Sequence, residues 1–219
     1  MLPRPAACLF DLDGLLLDTE PAHAHAWQET ARQFGRPLTE AELQALRGRR
    51  RLDCAEQVRR WIAAAGGPPL SDEALLAVRQ PIAEALLASA PAMPGAEALV
   101  RRCLTLGIPM ALATSSSRPA VEIKVAPHAW IALISERVHG DDPELSDGKP
   151  APDPFLLAAR RLGVAPTACW AFEDSLAGVA AARAAGCRVH VLLPPGVSCD
   201  AYPGDVHCLR SLEEVRLNQ

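Results

Sequence analysis

Apolar residues along the chain fall into short continuous runs separated by amphipathic segments, and the first run sets the arrangement of the rest. Residues 6–20 read AACLFDLDGLLLDTE, so an apolar run ends at Asp11 and Asp13, followed by Gly14, three leucines, Asp18, Thr19 and Glu20. A short apolar run closed by a turn signal predicts a buried parallel strand. The next stretch, residues 18–90, holds no strand-like run and predicts four helices. One starts at Thr19-Glu20-Pro21 and stops near Phe34 before Gly35. Thr39 and Glu42 form a capping box that opens the second. The third runs from about Arg51 to Ala65, ended by Gly66-Gly67-Pro68-Pro69, and the fourth from Ser71-Asp72-Glu73 to about Ala90, its acids placed to suit the helix dipole.

From Pro91 the pattern alternates. An amphipathic helix covers Gly95 to Leu106 and is closed by Gly107. The strand Ile108 to Ala113 ends in Thr114-Ser115-Ser116-Ser117, and a helix from about Arg118 to Val125 follows, interrupted at Pro127. A short strand is expected within residues 137–140. Asp153-Pro154 reads as an N-cap with proline at the first helical position, in a helix ending at Gly163. A strand from Cys169 to Phe172 ends at Glu173-Asp174, Ser175 caps a helix that ends at Gly186, and strands follow at Cys187–Leu193 and Val206–Leu209. Strand and helix in this rhythm imply an α/β fold: a doubly wound, Rossmann-like parallel sheet covered on both faces. The expected organisation is an α/β core of residues 1–17 and 91–219, interrupted by a small α-helical cap domain of residues 18–90. Two linkers, near 15–20 and 88–94, permit hinge motion between them.

At 219 residues, 49% hydrophobic and 22% charged, the chain can bury a sizeable core, and a net charge of -4 argues against general nucleic-acid binding. Arg47, Arg49, Arg50 and Arg51 form the strong local basic cluster, readable as a solvated helix end or an anion contact. Seven cysteines without a CxxC pair favour reduced thiols over a disulfide framework. With no signal-peptide pattern and no stretch approaching a membrane span, a soluble cytoplasmic setting is expected.

Three apolar strands end in groups that one reaction could use: Asp11 and Asp13, the hydroxyl run from Thr114 through Ser115 to Ser117, and Glu173 with Asp174. Asp147-Gly148-Lys149-Pro150 adds a lysine. Each has a plain alternative: a turn, an N-cap, a surface lysine, or favourable charge at a helix N-terminus. Taken together at successive strand ends they point to a site, because ligands in open α/β sheets bind beyond the carboxyl ends of the strands. Four carboxylates brought together resist common ionisation. A hard cation such as Mg²⁺, which takes a few carboxylate oxygens plus phosphate and water, resolves this. Hydroxyls and backbone N–H groups at a helix start, with the lysine, make an anion cradle. The combination suggests phosphoryl transfer, with one aspartate as nucleophile forming an aspartyl-phosphate and the other moving protons.

The segments FDLDGLLLDTE, ALATSSS, GKPAPDPF and FEDSLAGVAAARAAG resemble, in order, the four motifs of the haloacid dehalogenase-like phosphohydrolases. A helical insertion directly after the first motif resembles the capped subgroup that includes β-phosphoglucomutases and many sugar- and nucleotide-phosphate phosphatases. MPGAEAL, GIPMALATSS and GDDPELSDGKPAPDPF look most like its pseudouridine-5'-phosphatase type. The resemblance implies Asp11 as nucleophile and Asp13 as general acid/base, with Thr114, Ser115 and Lys149 holding the phosphoryl group. It implies Mg²⁺ on Asp11, the main-chain carbonyl of Asp13, and Asp174, with Glu173 beside them. True 2-haloacid dehalogenases lack the second aspartate, so Asp13 argues against dehalogenation. In the cap, His23 and Arg51 resemble substrate contacts of β-phosphoglucomutase, although an ordinary helix-face histidine and a solvated helix end read equally well from the residues.

The expected activity is Mg²⁺-dependent hydrolysis of a small phosphorylated metabolite, a nucleoside or sugar monophosphate, with pseudouridine 5'-phosphate one candidate. A β-phosphoglucomutase-like phosphomutase is the alternative, and a non-catalytic binding module on the same fold is a third reading. The expected partner is the small phosphorylated metabolite, with no nucleic acid and no membrane. A monomer is expected, a dimer being the alternative.

Overall fold

The computed structural model describes residues 4–217, so the expected core boundaries at residues 1 and 219 lie outside the described residues. Six parallel strands form one sheet: β1 (Ala7–Phe10), β2 (Met110–Ala113), β3 (Glu136–Val138), β4 (Cys169–Glu173), β5 (Arg188–Leu192) and β6 (His207–Leu209), in the order β3-β2-β1-β4-β5-β6. After β3 the chain crosses back over β2 and β1 to lay down β4 on the other side. The order therefore reverses between β1 and β4, and a crevice opens at the carboxyl ends of these two strands. Their register pairs Phe10 with Phe172. Asp11, just past β1, and Glu173, the last residue of β4, thus emerge side by side, and Asp11 N–H donates to the Phe172 carbonyl at 3.0 Å.

Alternation along β1 builds a core on each face, since successive strand side chains point to opposite sides. Cys8 and Phe10 join one cluster with Leu112, Leu99 and Ile131, while Ala7 and Leu9 join another with Ala111, Phe155 and Val179. The helices over these faces are α5 (Ala96–Thr105), α6 (Arg118–Val125), α7 (Asp153–Arg161) and α8 (Leu176–Ala184). Between β1 and α5 lie α1 (Glu20–Gln33), α2 (Glu40–Leu46), α3 (Arg51–Ala64) and α4 (Asp72–Leu87), packed around an apolar cluster of their own that includes Trp27, Leu46, Val58, Ile62 and Leu75. The absence of strand-like runs from residues 18–90 is thereby matched by four helices. No helix among the described residues is long and apolar enough to cross a membrane.

Local signals mostly act as the sequence implies. Thr39 and Glu42 make the reciprocal capping box of α2, and the Ser175 hydroxyl accepts from the Gly178 N–H at the start of α8. Two expectations are corrected. Asp153 is not the N-cap of α7: Pro152 holds that position, Asp153 is the first helical residue, and its carboxylate accepts instead from the Asp147 N–H at 3.4 Å. Nor are all seven cysteines reduced. Cys199 and Cys208, nine residues apart, are joined in a disulfide with Cα atoms 6.0 Å apart, because the turn into β6 folds the chain back on itself. The other five are buried and free, small hydrophobes of the core.

Candidate active site

Asp11 leaves β1 into a pocket of charge. It is 3% exposed, and Lys149 Nζ lies 2.5 Å from both Asp11 Oδ1 and Glu173 Oε1. Asp174, next to Glu173 at the end of β4, is equally buried, and each of Asp11, Glu173 and Asp174 offers a carboxylate oxygen within 4.8 Å of the others. Gly14 leaves room for this cluster: its φ is +81°, and a Cβ there would stand 2.2 Å from Asp174 Oδ2. A side chain would be both strained and in collision. Burial pushes the Asp11 carboxyl up to about 7 even though Lys149 pulls the other way, and burial lifts Asp174 to about 6 against the pull of Arg47. Burial also works against the charge on Lys149, but Asp11 and Glu173 outweigh it and raise its pKa.

Asp13 faces a different set of partners. Lys124 Nζ lies 2.6 Å from both of its oxygens, Thr19 Oγ1 donates to Oδ1 at 2.7 Å, Ser116 Oγ to Oδ2 at 2.7 Å, and His23 Nε2 stands 3.2 Å from Oδ1. Burial opposes its ionisation, but Lys124 and His23 outweigh that and hold its carboxyl well below the usual carboxylate range. His23 is fixed from behind by Arg79, whose Nη2 lies 2.8 Å from Nδ1. A guanidinium can only donate, so Nδ1 accepts and Nε2 carries the proton toward Asp13. Arg79 is 5% exposed and lies over the Trp27 ring, 4.5 Å from its centre.

The hydroxyl run after β2 does not serve as a helix cap: Ser117 occupies the N-cap position of α6 without a side-chain cap bond. Ser116 goes to Asp13, Ser115 Oγ donates to the Gly48 carbonyl at 2.8 Å, and Thr114 Oγ1 accepts from the Ser116 N–H at 3.1 Å. These residues line one cavity of about 880 Å³ between the strand ends and the α1–α4 helices, apart from the fully enclosed Thr19, Lys124, Lys149 and Glu173.

The cap residues divide. His23 reaches Asp13, whereas Arg51 is exposed on the cavity wall and donates to Gln80 Oε1 at 2.8 Å. Within the arginine cluster it is Arg47 that enters the site, with Nη2 2.5 Å from Asp174 Oδ2 and Nε 3.1 Å from Glu20 Oε2. Four site residues were not singled out from sequence, Lys124, Arg79, Glu20 and Thr19, and Arg47 was marked only as one of the arginine cluster. Lys124 left a readable trace, since it shares the buried face of α6 with Val121, and a lysine in an apolar stripe has to find a counter-charge. Arg79 similarly occupies the buried stripe of α4 with Leu75 and Ala83.

The donor set fits a hard divalent cation: three anionic oxygen donors converge, and no soft ligand stands among them. A family model described as haloacid dehalogenase-like hydrolase matches residues 5–186. A Drosophila melanogaster protein named "Probable pseudouridine-5'-phosphatase" is 35% identical over all of this chain and 95% of its own length. Hexitol phosphatase A of Escherichia coli is 34% identical over 96% of this chain and 93% of its own. Among solved structures, CbbY from Rhodobacter sphaeroides in complex with phosphate superposes with a TM-score of 0.81 at 29% identity, covering 96% of each chain.

Proposed function

The chain belongs to the haloacid dehalogenase-like hydrolases, and on that premise we propose that it hydrolyses phosphate monoesters of small metabolites by way of an aspartyl-phosphate. The observation that supports this best is the partition of two aspartates, two residues apart, into differently wired halves of one cavity. Asp11 is aligned by Lys149 beside a converging set of acids, and Asp13 is held by Thr19, His23, Ser116 and Lys124.

In this reading Asp11 attacks phosphorus, the ester P–O bond breaks, and Asp13 delivers a proton to the leaving oxygen. Water then attacks the aspartyl-phosphate, Asp13 takes its proton back, and inorganic phosphate departs. Thr114, Ser115 and Lys149 hold the phosphoryl oxygens. Asp11, the Asp13 carbonyl, Asp174 and Glu173 would hold Mg²⁺, which when bound neutralises charge on the transferring group. Such neutralisation is needed because uncatalysed phosphate-monoester hydrolysis is among the slowest of reactions, calling for up to ~10²¹-fold acceleration. The helices of residues 18–90 act as a cap on the core of residues 1–17 and 91–219, and by covering the strand ends they exclude water and choose the substrate. The names of the relatives support a nucleoside or polyol monophosphate as substrate.

Hydrolysis of an aryl phosphate with and without Mg²⁺ tests the reading, together with a panel that includes pseudouridine 5'-phosphate and β-glucose 1-phosphate. Asp11→Asn should abolish turnover and the Mg²⁺-dependent trapping of beryllofluoride, and Asp13→Ala should reduce turnover at least a hundredfold. Undiminished hydrolysis by Asp11→Asn would sink the assignment. Isomerisation of β-glucose 1-phosphate without phosphate release would replace it with a phosphomutase.

A further inference from the structure

Lys149 covers two of the three converging acids, Asp11 and Glu173, and leaves Asp174 to a second cation. That cation is Arg47, which comes from the loop between α2 and α3, 127 residues earlier in the chain. The loop is seated tightly on the strand ends. The Gly48 carbonyl accepts from Ser115 Oγ at 2.8 Å, and a Cβ on Gly48, whose φ is +72°, would stand 2.0 Å from Ser175 Oγ. A Cβ on Gly148 would likewise stand 2.5 Å from the Arg50 side chain. Where Arg47 meets the acids, by contrast, its bonding is incomplete. Its Nε is buried and 3.1 Å from Glu20, near enough for an ion pair, yet it makes no hydrogen bond. Permanent buried ion pairs have their N–H groups satisfied, so an unmade bond of this kind marks a contact that can be given up at modest cost.

We propose that Arg47 is a latch that competes with the divalent cation for Asp174, so that metal loading releases the 47–50 loop from the strand ends. The inference rests on the reading above that Asp11, Glu173 and Asp174 take a metal. Two positive charges on one buried carboxylate repel, because little solvent intervenes to screen them. Occupation of the triad therefore weakens the Arg47 contact, and the Arg47 contact weakens metal binding by the same factor. Freed from Asp174, Arg47 still has Glu20 to receive it, and the loop that carries it swings with the helices on either side. Each of the three acids is thereby kept paired with a cation, and covered, until metal arrives.

Isothermal titration of Mg²⁺ into the metal-stripped full chain provides the test. Arg47→Gln, which keeps a polar side chain and removes the charge, should bind Mg²⁺ at least tenfold more tightly than the natural chain. Arg47→Lys, which keeps the charge, should stay within about threefold of it. Arg49→Gln, which removes a charge lining the same cavity but touching none of the three acids, should also change affinity less than threefold. A second measurement needs no variant: Mg²⁺ should speed trypsin cleavage after Arg49, Arg50 and Arg51 in the natural chain. Equal or weaker Mg²⁺ binding by Arg47→Gln, a shift as large in Arg49→Gln, or protection of the loop by Mg²⁺ would each overturn the latch while leaving metal dependence standing. Absence of Mg²⁺ binding to every one of these chains would overturn the latch and the metal reading together.

Discussion

Asp11 is walled in by Lys149, Glu173 and Asp174, groups from the loops beyond the sheet and the end of β4. Asp13, two residues further on, is held by Thr19 and His23 at the entry to the helical insertion and by Ser116 and Lys124 after β2. One carboxyl is pushed up to about 7 and the other held well below the usual range. Sequence proximity thus decides where the two acids stand but not how they ionise. Each shift runs against the role proposed for the residue, since a nucleophile has to be ionised and a general acid protonated. Ligands would push both the other way: positive charge beside Asp11 lowers its pKa, and a phosphate dianion beside Asp13 raises that one. The resting site is poised to be switched by what it binds.

The largest effects are expected when each acid is neutralised in turn and stability is followed with pH in metal-free urea titrations. Between pH 3.8 and about 7 native Asp11 keeps a proton that the unfolded chain has released, so its contribution to stability falls as pH rises through that window. At about 1.4 kcal/mol per pKa unit the limit is about 4 kcal/mol. Asp11→Asn should accordingly be more stable than the natural chain at pH 8, by up to that amount, with the gain fading toward pH 4. Asp13 has the opposite sign. Its depressed pKa contributes stability above about pH 3.8 that is lost below it. Asp13→Asn should lose about 3 kcal/mol at pH 8, as Lys124 is left buried without its counter-charge. Changes of the same sign in the two variants would show that the environments do not differ in kind.

Lys124→Met separates charge from position at Asp13. The expected loss in kcat is about a hundredfold, within the range of one general acid/base group. The limb of the pH–rate profile belonging to Asp13 should move to higher pH, because removing Lys124 removes the strongest group lowering that pKa. A stability loss with the limb unmoved would make Lys124 a packing residue only.

What could be read from sequence follows the same divide. The Asp11 side was legible because its members sit at the ends of apolar runs: Asp11 after Phe10, and Glu173 and Asp174 after Phe172, all at the ends of strands whose parallel pairing brings them together. Strand ends declare themselves locally, and the sheet aligns them. On the Asp13 side the hydroxyl run that holds Ser116 and the cap residue His23 were marked, with Arg51 paired to His23. Lys124 reaches the site from the last turn of α6, Arg79 from the middle of α4, and Arg47 from a loop 127 residues before its partner Asp174. Which of four clustered arginines turns inward depends on how the loop at Gly48 is pinned between Ser115 and Ser175, a tertiary fact that no local pattern carries.

Arg79→Met sharpens the role of the outer partners. Without Arg79, His23 is free to place its proton on Nδ1 and turn a lone pair toward Asp13, an arrangement that repels. A fall in kcat of roughly tenfold, a fraction of what the general acid itself contributes, is expected with KM changed little. Arg79→Lys should restore most of it, since an ammonium can also donate to Nδ1. Trp27, over which Arg79 lies, reports by fluorescence whether the surrounding helices have repacked. Loss of activity in Arg79→Lys equal to that in Arg79→Met would remove the hydrogen bond as the cause.

The smallest effect belongs to Thr19, and it is informative because the residue has two possible employments. Thr19 occupies the N-cap position of α1, where a hydroxyl ordinarily accepts from a helical N–H, but its backbone is helical and no such bond is made. The hydroxyl is directed to Asp13 Oδ1 at 2.7 Å instead. Thr19→Val keeps the shape and the β-branch, so it should leave the helix start intact and remove one hydrogen bond to a carboxylate that retains His23, Ser116 and Lys124. About 1 kcal/mol of stability and a few-fold loss of kcat follow, and Thr19→Ser should recover both. A cap in use would behave otherwise: the loss would appear as fraying of α1, visible as faster amide exchange in its first turn, with kcat untouched. The residue that joins the sheet to the helical insertion therefore tests directly whether Asp13 is held by the sheet alone or by the insertion as well.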